Sequence, residues 1–189
     1  MSLPEPTLAR TRRRLTEFAG DRRFAVSERA VSLIFSQWPR NSDAGEVLAK
    51  VVVINRLYNT NIYDVYAVAD RIVSLAIDAR LRAGDLGLVD DIARVTVGGK
   101  PRVFLSFASK YCAWHEPDRF QIYDSYVDAT LWAYQRQFGF ADFRREQLRE
   151  YPTFCAVVDR FRERFNLTSL SRRELDHFLW AEGATLTGP

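Results

Sequence analysis

The sequence predicts an all-α fold, and three observations lead there. Apolar residues recur mostly at the three-and-four spacing of a helix. The stretches Asp43-Ala44-Gly45-Glu46 and Ser171-Arg172-Arg173-Glu174 carry the reciprocal cap that opens helices. The glycines form no Rossmann or phosphate-loop pattern and mark no internal repeat. With 189 residues, 47% of them hydrophobic and 13% aromatic, the chain can enclose one good core or two small helical lobes around a cleft. The expected organisation is a compact multi-helix domain over residues 23–189 behind a basic N-terminal arm over residues 1–22.

The arm holds Pro4, Pro6 and the run Arg12-Arg13-Arg14, with Arg10, Arg22 and Arg23 beside it. Its two readings are a solvated tail and a contact for phosphates. Ala30, Leu33, Ile34 and Phe35 predict a helix over 27–38, stopped by Pro39. After the cap at Asp43, Val47 to Tyr58 is apolar on nearly every side, which marks a central, buried helix. Asn59-Thr60-Asn61 interrupts it. Ile62, Val65, Tyr66, Ala69, Ile72, Val73, Ala76 and Ile77 place one long helix over 62–82. Gly84 and Gly87 mark a turn, and 88–95 reads as a short helix. Gly98-Gly99-Lys100-Pro101 is a loop whose proline suits the first turn of a helix over 102–108. Helices follow at 109–116, 125–138, 142–149, 152–165 and 172–182, with Gly183 ending the last.

Charge and cysteine usage bound the function. The formal net charge is +3 and the isoelectric point about 9.0, which permits an anionic partner without demanding one. Lys50, Lys100 and Lys110 are the only lysines among 27 basic residues. Base composition of the genome accounts for such a bias, yet arginine cannot deprotonate to serve as an amine nucleophile. Cys112 and Cys155 form no CxxC, and His115 and His177 complete no zinc spacing, so two buried thiols and no metal or cofactor are expected. Asn55, Arg56 and Asp70 break the longest apolar stretches, so no span is expected to cross a membrane. Nothing resembles a signal peptide, and a cytoplasmic location follows, at the nucleoid if the protein binds DNA.

The candidate chemistry lies in Phe107–Val127. Lys110 falls near the start of one expected helix and Asp124 near the start of the next, after a Pro117 turn. A desolvated lysine is a nucleophile, and a carboxylate can steer developing charge. Two plainer readings stand beside this one. Asp124 serves as an N-cap for the helix over 125–138, and Lys110 is a solvated surface residue. His115 is either an acid–base helper or a helix-end residue bonded to backbone.

Two segments carry a resemblance. Val52-Val53-Ile54-Asn55-Arg56-Leu57-Tyr58-Asn59-Thr60-Asn61-Ile62 resembles the buried helix and polar turn of the helix-hairpin-helix DNA glycosylases. Ser106–Val127 resembles that superfamily's hairpin, catalytic lysine and downstream Pro/Asp/Val element, and is most similar to the 8-oxoguanine DNA glycosylase branch. The order of elements agrees over about residues 45–180. The resemblance implies that Lys110 attacks C1′ of a damaged nucleotide to form a Schiff base, and that Asp124 stabilises the sugar's developing charge. It implies that Asn59 and Asn61 lie in a DNA-facing turn, and that Tyr111, Tyr123 or Tyr126 stacks on a base flipped out of duplex DNA. The family's hairpin glycines are missing from Leu105–Lys110, so Ser106 and Ser109 would take over part of the strand clamp. The lack of a four-cysteine cluster sets the iron–sulfur members aside as close models.

The leading expectation is a DNA base-excision glycosylase, alone or with AP-lyase activity, acting on a damaged or modified purine. The alternatives are a non-catalytic DNA- or protein-binding module on the same fold, and a structural helical adaptor.

Overall fold

The computed structural model describes residues 3–187, and helices dominate it. The chain divides into two compact units. One is continuous, Arg23–Phe120. The other joins the residues up to Arg22, with helix α1 (Leu8–Ala19), to the residues from Gln121 onward.

In the continuous unit, α2 (Arg22–Gln37) leads to α3 (Ala44–Tyr58). Asp43 caps α3 as the sequence predicts, its Oδ1 accepting the Glu46 N–H at 3.0 Å. Val47, Lys50, Val51 and Ile54 are buried, while Val52 and Leu57 stay exposed. The expectation of a helix buried all round is therefore corrected to a helix buried on one face.

The helix expected over 62–82 is two helices, α4 (Val65–Ser74) and α5 (Asp78–Ala83). Ala76 adopts a left-handed φ of 46° between them. The Asp78 carboxylate at the start of α5 accepts the Asn41 side-chain amide at 2.7 Å and its backbone N–H at 3.3 Å. A bond 37 residues away in sequence helps fix that helix start, and no local signal announces it.

After α6 (Gly87–Ala93), the chain makes an antiparallel hairpin of β1 (Arg94–Val97) and β2 (Lys100–Val103), paired Arg94 to Val103 and Val97 to Lys100. Gly98 and Gly99 have φ of 55° and 74°, the two positive values that a tight hairpin turn requires and that glycine supplies without strain. Pro101 thus lies in a strand instead of a first helical turn. Helix α7 (Leu105–His115) then runs without interruption, where two helices over 102–108 and 109–116 were expected. Leu105–Lys110, the segment likened to a glycosylase hairpin, is the first half of α7. Lys110 sits in mid-helix.

In the discontinuous unit, α8 (Ser125–Phe138) packs on α10 (Arg172–Thr187), and α1 also lies on α10. Between α8 and α10 come a short 3-10 helix (Arg145–Arg149) and α9 (Tyr151–Arg164). The helix expected over 142–149 is only that single 3-10 stretch. Residues 8–19, read from sequence as part of a basic arm, form a helix capped by Thr7, and two of its arginines have an internal partner. The Glu182 side chain is 4% exposed and pairs with Arg10 and, at 3.3 Å, with Arg14. Tyr134 and Gln137 of α8 bind the chain just before α1, at the Pro4 carbonyl and at both backbone polar groups of Leu3. Ser171 and Glu174 form the expected capping box of α10, but α10 runs on past Gly183.

Cys112 and Cys155 are free and buried. Burial pushes both thiols up, Cys155 to about 11. Among the described residues no helix is long and apolar enough to cross a membrane, and no three His, Cys, Asp or Glu side chains gather as metal ligands.

Candidate functional site: a buried lysine on helix α7

Ser106, Lys110 and Trp114 are spaced four apart on α7, so they lie one above another on a single face. Lys110 is 3% exposed, which excludes the solvated reading. Its Nζ donates to Ser106 Oγ at 2.7 Å and lies 5.6 Å from the centroid of the Tyr58 ring, within range of an attraction between cation and π face. Trp114 Nε1–H donates to the Tyr58 hydroxyl at 3.1 Å, and that hydroxyl donates to Glu28 Oε1 at 2.8 Å. The amine is thus bracketed by a hydroxyl one turn before it and an anchored ring. Such a desolvated, polar-lined setting is one in which lysines act as nucleophiles.

Ser109 does not share this face. It is fully buried, and its hydroxyl donates to the Ser106 carbonyl at 3.1 Å. The strand-clamp role that the resemblance implies for Ser109 would fall to a hydroxyl that already bonds within its own helix. Ser106 is half-buried and serves the lysine.

The polar turn after α3 begins one residue beyond Tyr58. Asn59 and Asn61 are exposed, with left-handed φ of 50° and 57°. Asn55 locks the turn from the last part of α3: its Nδ2 donates to the Ile62 carbonyl at 2.8 Å, and its Oδ1 accepts from the Thr60 hydroxyl and the Ile62 N–H, both at 2.9 Å. Asparagine tolerates left-handed backbone better than most residues, which explains its use at both exposed positions. Neither the lock at Asn55 nor the ring at Tyr58 was singled out from sequence. Asn55 was read as a polar break in an apolar run and as one member of the segment likened to the glycosylases.

Lys50 is the other buried lysine of this unit, and it serves a different purpose. Its Nζ donates to the carbonyls of Trp38 and Arg40 at 3.0 and 2.7 Å and to Asn41 Oδ1 at 2.7 Å. All three ammonium protons have acceptors, so the group is a structural hub. Burial holds its pKa down to about 8, against the pull of Asp78 and Glu46. The same Asn41 oxygen accepts the Tyr111 hydroxyl at 2.6 Å and faces His115 Nε2 at 3.1 Å. Tyr111 is fully buried and is a core residue instead of a stacking surface. Burial, with Lys50 adding to it, pushes His115 down to about 3, a neutral ring at physiological pH.

In the other unit, Asp124 caps α8, its Oδ1 accepting the Tyr126 N–H at 3.0 Å, so the plainer reading of this residue is realised. Tyr123 is half-buried, edge-on to Phe154 at 5.3 Å, with its hydroxyl 3.4 Å from Asp128 Oδ2. Burial first, then Asp128, pushes the phenol up. Arg145 donates to Asp128 Oδ1 through Nε at 2.8 Å. Tyr123, Asp128 and Arg145, with Ser125, Glu146 and Arg149, line an open depression of about 580 Å³. Tyr126 packs edge-on to Trp180 at 5.4 Å.

The N-terminal domain model of the HI_0787_N family matches residues 10–119, more than half of the chain and inclusive of the whole lysine face. A Haemophilus influenzae protein, described as "Uncharacterized protein", is 41% identical over 138 residues, which is 72% of this chain and 66% of the relative. The chain therefore spans just under two thirds of that relative's length. No solved structure matches.

Proposed function

The chain belongs to the HI_0787_N family, and from the lysine face within the matched stretch we propose that it is a DNA base-excision glycosylase acting through Lys110, with AP-lyase activity as a consequence of the same intermediate. The observation that carries this reading is the buried amine held between Ser106 Oγ and the Tyr58 ring. The likeness of residues 52–62 and 106–127 to the glycosylases supplies the substrate class, a damaged or modified purine in duplex DNA. In the reaction, the Lys110 ammonium gives up a proton to solvent, and the amine then bonds to C1′ as the glycosidic bond breaks and its electron pair leaves on the base. Opening of the sugar ring gives a protonated imine. Water hydrolyses it, or β-elimination of the 3′ phosphate cuts the strand first.

Borohydride reduces such an imine to a stable secondary amine, which tests the proposal on a panel of lesion-bearing duplexes. The protein is expected to become covalently attached to at least one duplex, and Lys110→Gln to lose attachment completely while keeping DNA affinity. Attachment surviving in Lys110→Gln would place the nucleophile elsewhere. Asp124→Asn separates charge from capping, because asparagine caps helices as well as aspartate does. Its stability is expected to change by less than about 0.5 kcal/mol, while base release slows. An unchanged rate in a folded Asp124→Asn protein would leave this residue as a cap alone.

A second reading, a DNA-binding module without catalysis, is favoured by one observation: α7 is continuous where the glycosylases have their hairpin. Salt-sensitive DNA binding, equal in the parent and Lys110→Gln proteins and with no base released from any lesion, would establish it.

A further inference from the structure

We propose that Tyr58 is the positioning residue of the lysine site: the face of its ring holds the Lys110 amine in place. The proposal rests on Lys110 being the reactive amine, but its geometry can be tested without any reaction. The Nζ stands 5.6 Å from the ring centroid, close enough for the ring's negative face to attract the ammonium.

The ring is anchored by its own hydroxyl, which accepts from Trp114 Nε1–H at 3.1 Å and donates to Glu28 Oε1 at 2.8 Å. Both hydrogen-bonding directions of the hydroxyl are used, one toward α7 and one toward α2. Trp114 lies one helical turn beyond Lys110, so the helix that carries the amine also carries an anchor of the ring. Ser106, one turn before, also fixes the amine, accepting from it at 2.7 Å. Tyr58 is also the last residue of α3, ahead of the left-handed Asn59, so the Asn55-locked turn sets where the ring sits. A long lysine side chain has many rotamers. A hydroxyl, a ring face and a buried stem leave this one few, and a reacting group pre-set in this way gains effective concentration.

Two measurements test the proposal. With carbon-13-labelled lysine, the three lysines give a small set of Cε resonances, and the ring current of Tyr58 is expected to displace the Lys110 Cε and its protons upfield. Tyr58→Leu is expected to abolish that displacement and Tyr58→Phe to keep most of it. In single-turnover borohydride trapping on a duplex with a preformed abasic site, Tyr58→Leu is expected to lower the rate about tenfold with DNA affinity unchanged. Tyr58→Phe, which keeps the face but loses the anchors, is expected to restore the rate to within about threefold of the parent.

Lys50 lies over the Phe35 and Tyr111 rings at 5.7 and 5.8 Å, so the Lys110 resonance is assigned by its loss in Lys110→Gln; its survival upfield in Tyr58→Leu overturns the placement of the amine. A lost displacement with an unchanged trapping rate overturns the positioning role. If the parent protein traps nothing, the nucleophile reading falls, and the resonance alone then decides whether the ring holds the amine. Should Tyr58→Leu fail to fold, Trp114→Phe removes one anchor and leaves the ring. A Lys110 resonance that stays upfield in that variant supports the proposal, and a parent spectrum with no upfield Lys110 resonance overturns it.

Discussion

Gly183→Ala is expected to destabilise the protein by about 3 kcal/mol or more, toward the upper end of overpacking costs. A Cβ at this position of α10 would come 2.3 Å from the Tyr126 carbonyl oxygen and 2.7 Å from both its carbonyl carbon and Cβ. Those atoms are largely backbone of α8, so no rotamer change relieves the clash, and the two helices would have to separate. That helix pair is the main packing of its unit, lined by Val127, Leu131, Leu175, Phe178 and Leu179. Thermal unfolding would register the change as a fall in Tm of roughly 6–12 °C. Gly139→Ala is the control. Its φ of 56° makes a side chain strained, but nothing lies within 4 Å of the added Cβ, so the loss should be only about 1 kcal/mol. Equal losses at the two sites would show that the close approach of α8 and α10 carries no special cost.

Lys50 carries the second large effect. Lys50→Ala should cost about 2–5 kcal/mol, because it empties the space of a fully buried stem and takes the donor from the Trp38 and Arg40 carbonyls, while Asn41 Oδ1 keeps the Tyr111 hydroxyl. Lys50→Met restores the volume of the stem but not the donors, so it should remain well below the parent in urea unfolding. A Met variant as stable as the parent would show that the carbonyls of Trp38 and Arg40 need no partner.

The hub also has a pH signature. With a folded pKa near 8 and an unfolded value of about 10.4, the unfolded chain holds a proton in that window that the folded chain lacks. Lys50 therefore contributes stability that increases with pH there, by at most about 1.4 kcal/mol per unit. Cys112 and Cys155 act the other way. Their thiols are pushed up by burial, while in the unfolded chain they ionise from about pH 8.5, so their contribution is lost as pH rises. Two thiols outweigh one amine, and stability should fall above about pH 8.5. Lys50→Met should make that fall steeper. Parallel curves for parent and variant would rule out a depressed lysine.

The helical class and most helix starts were legible because they are local matters. Asp43, Asp124 and Ser171 each cap the helix the sequence assigned to them. The misreadings share a different origin. The division of α4 from α5 involves Asn41 reaching Asp78, the extension of α10 past Gly183 depends on a groove at Tyr126, and α1 is held by Glu182 from the far end of the chain. The β-hairpin was missed although Gly98-Gly99 is a hairpin signal, because Pro101 suggested a helix start. At the candidate site, Lys110 stood out by residue type, and Ser106 entered as a stand-in for glycine. Tyr58 looked like one more residue of an apolar helix, since nothing in its neighbourhood of sequence reveals Trp114 or Glu28.

The chain order of the two units also dictates when each can be completed during synthesis. The segment Arg23–Phe120 is contiguous and has its own core, so all its partners have been translated well before the C-terminal helix exists. Helix α1 is made before that segment yet must wait for Glu182, more than 160 residues later, to satisfy Arg10 and Arg14. Pairings that distant are slow to form. A ribosome-bound nascent chain therefore carries α1 undocked until α10 has been made, so α1 completes its packing only after the whole segment between them has been translated.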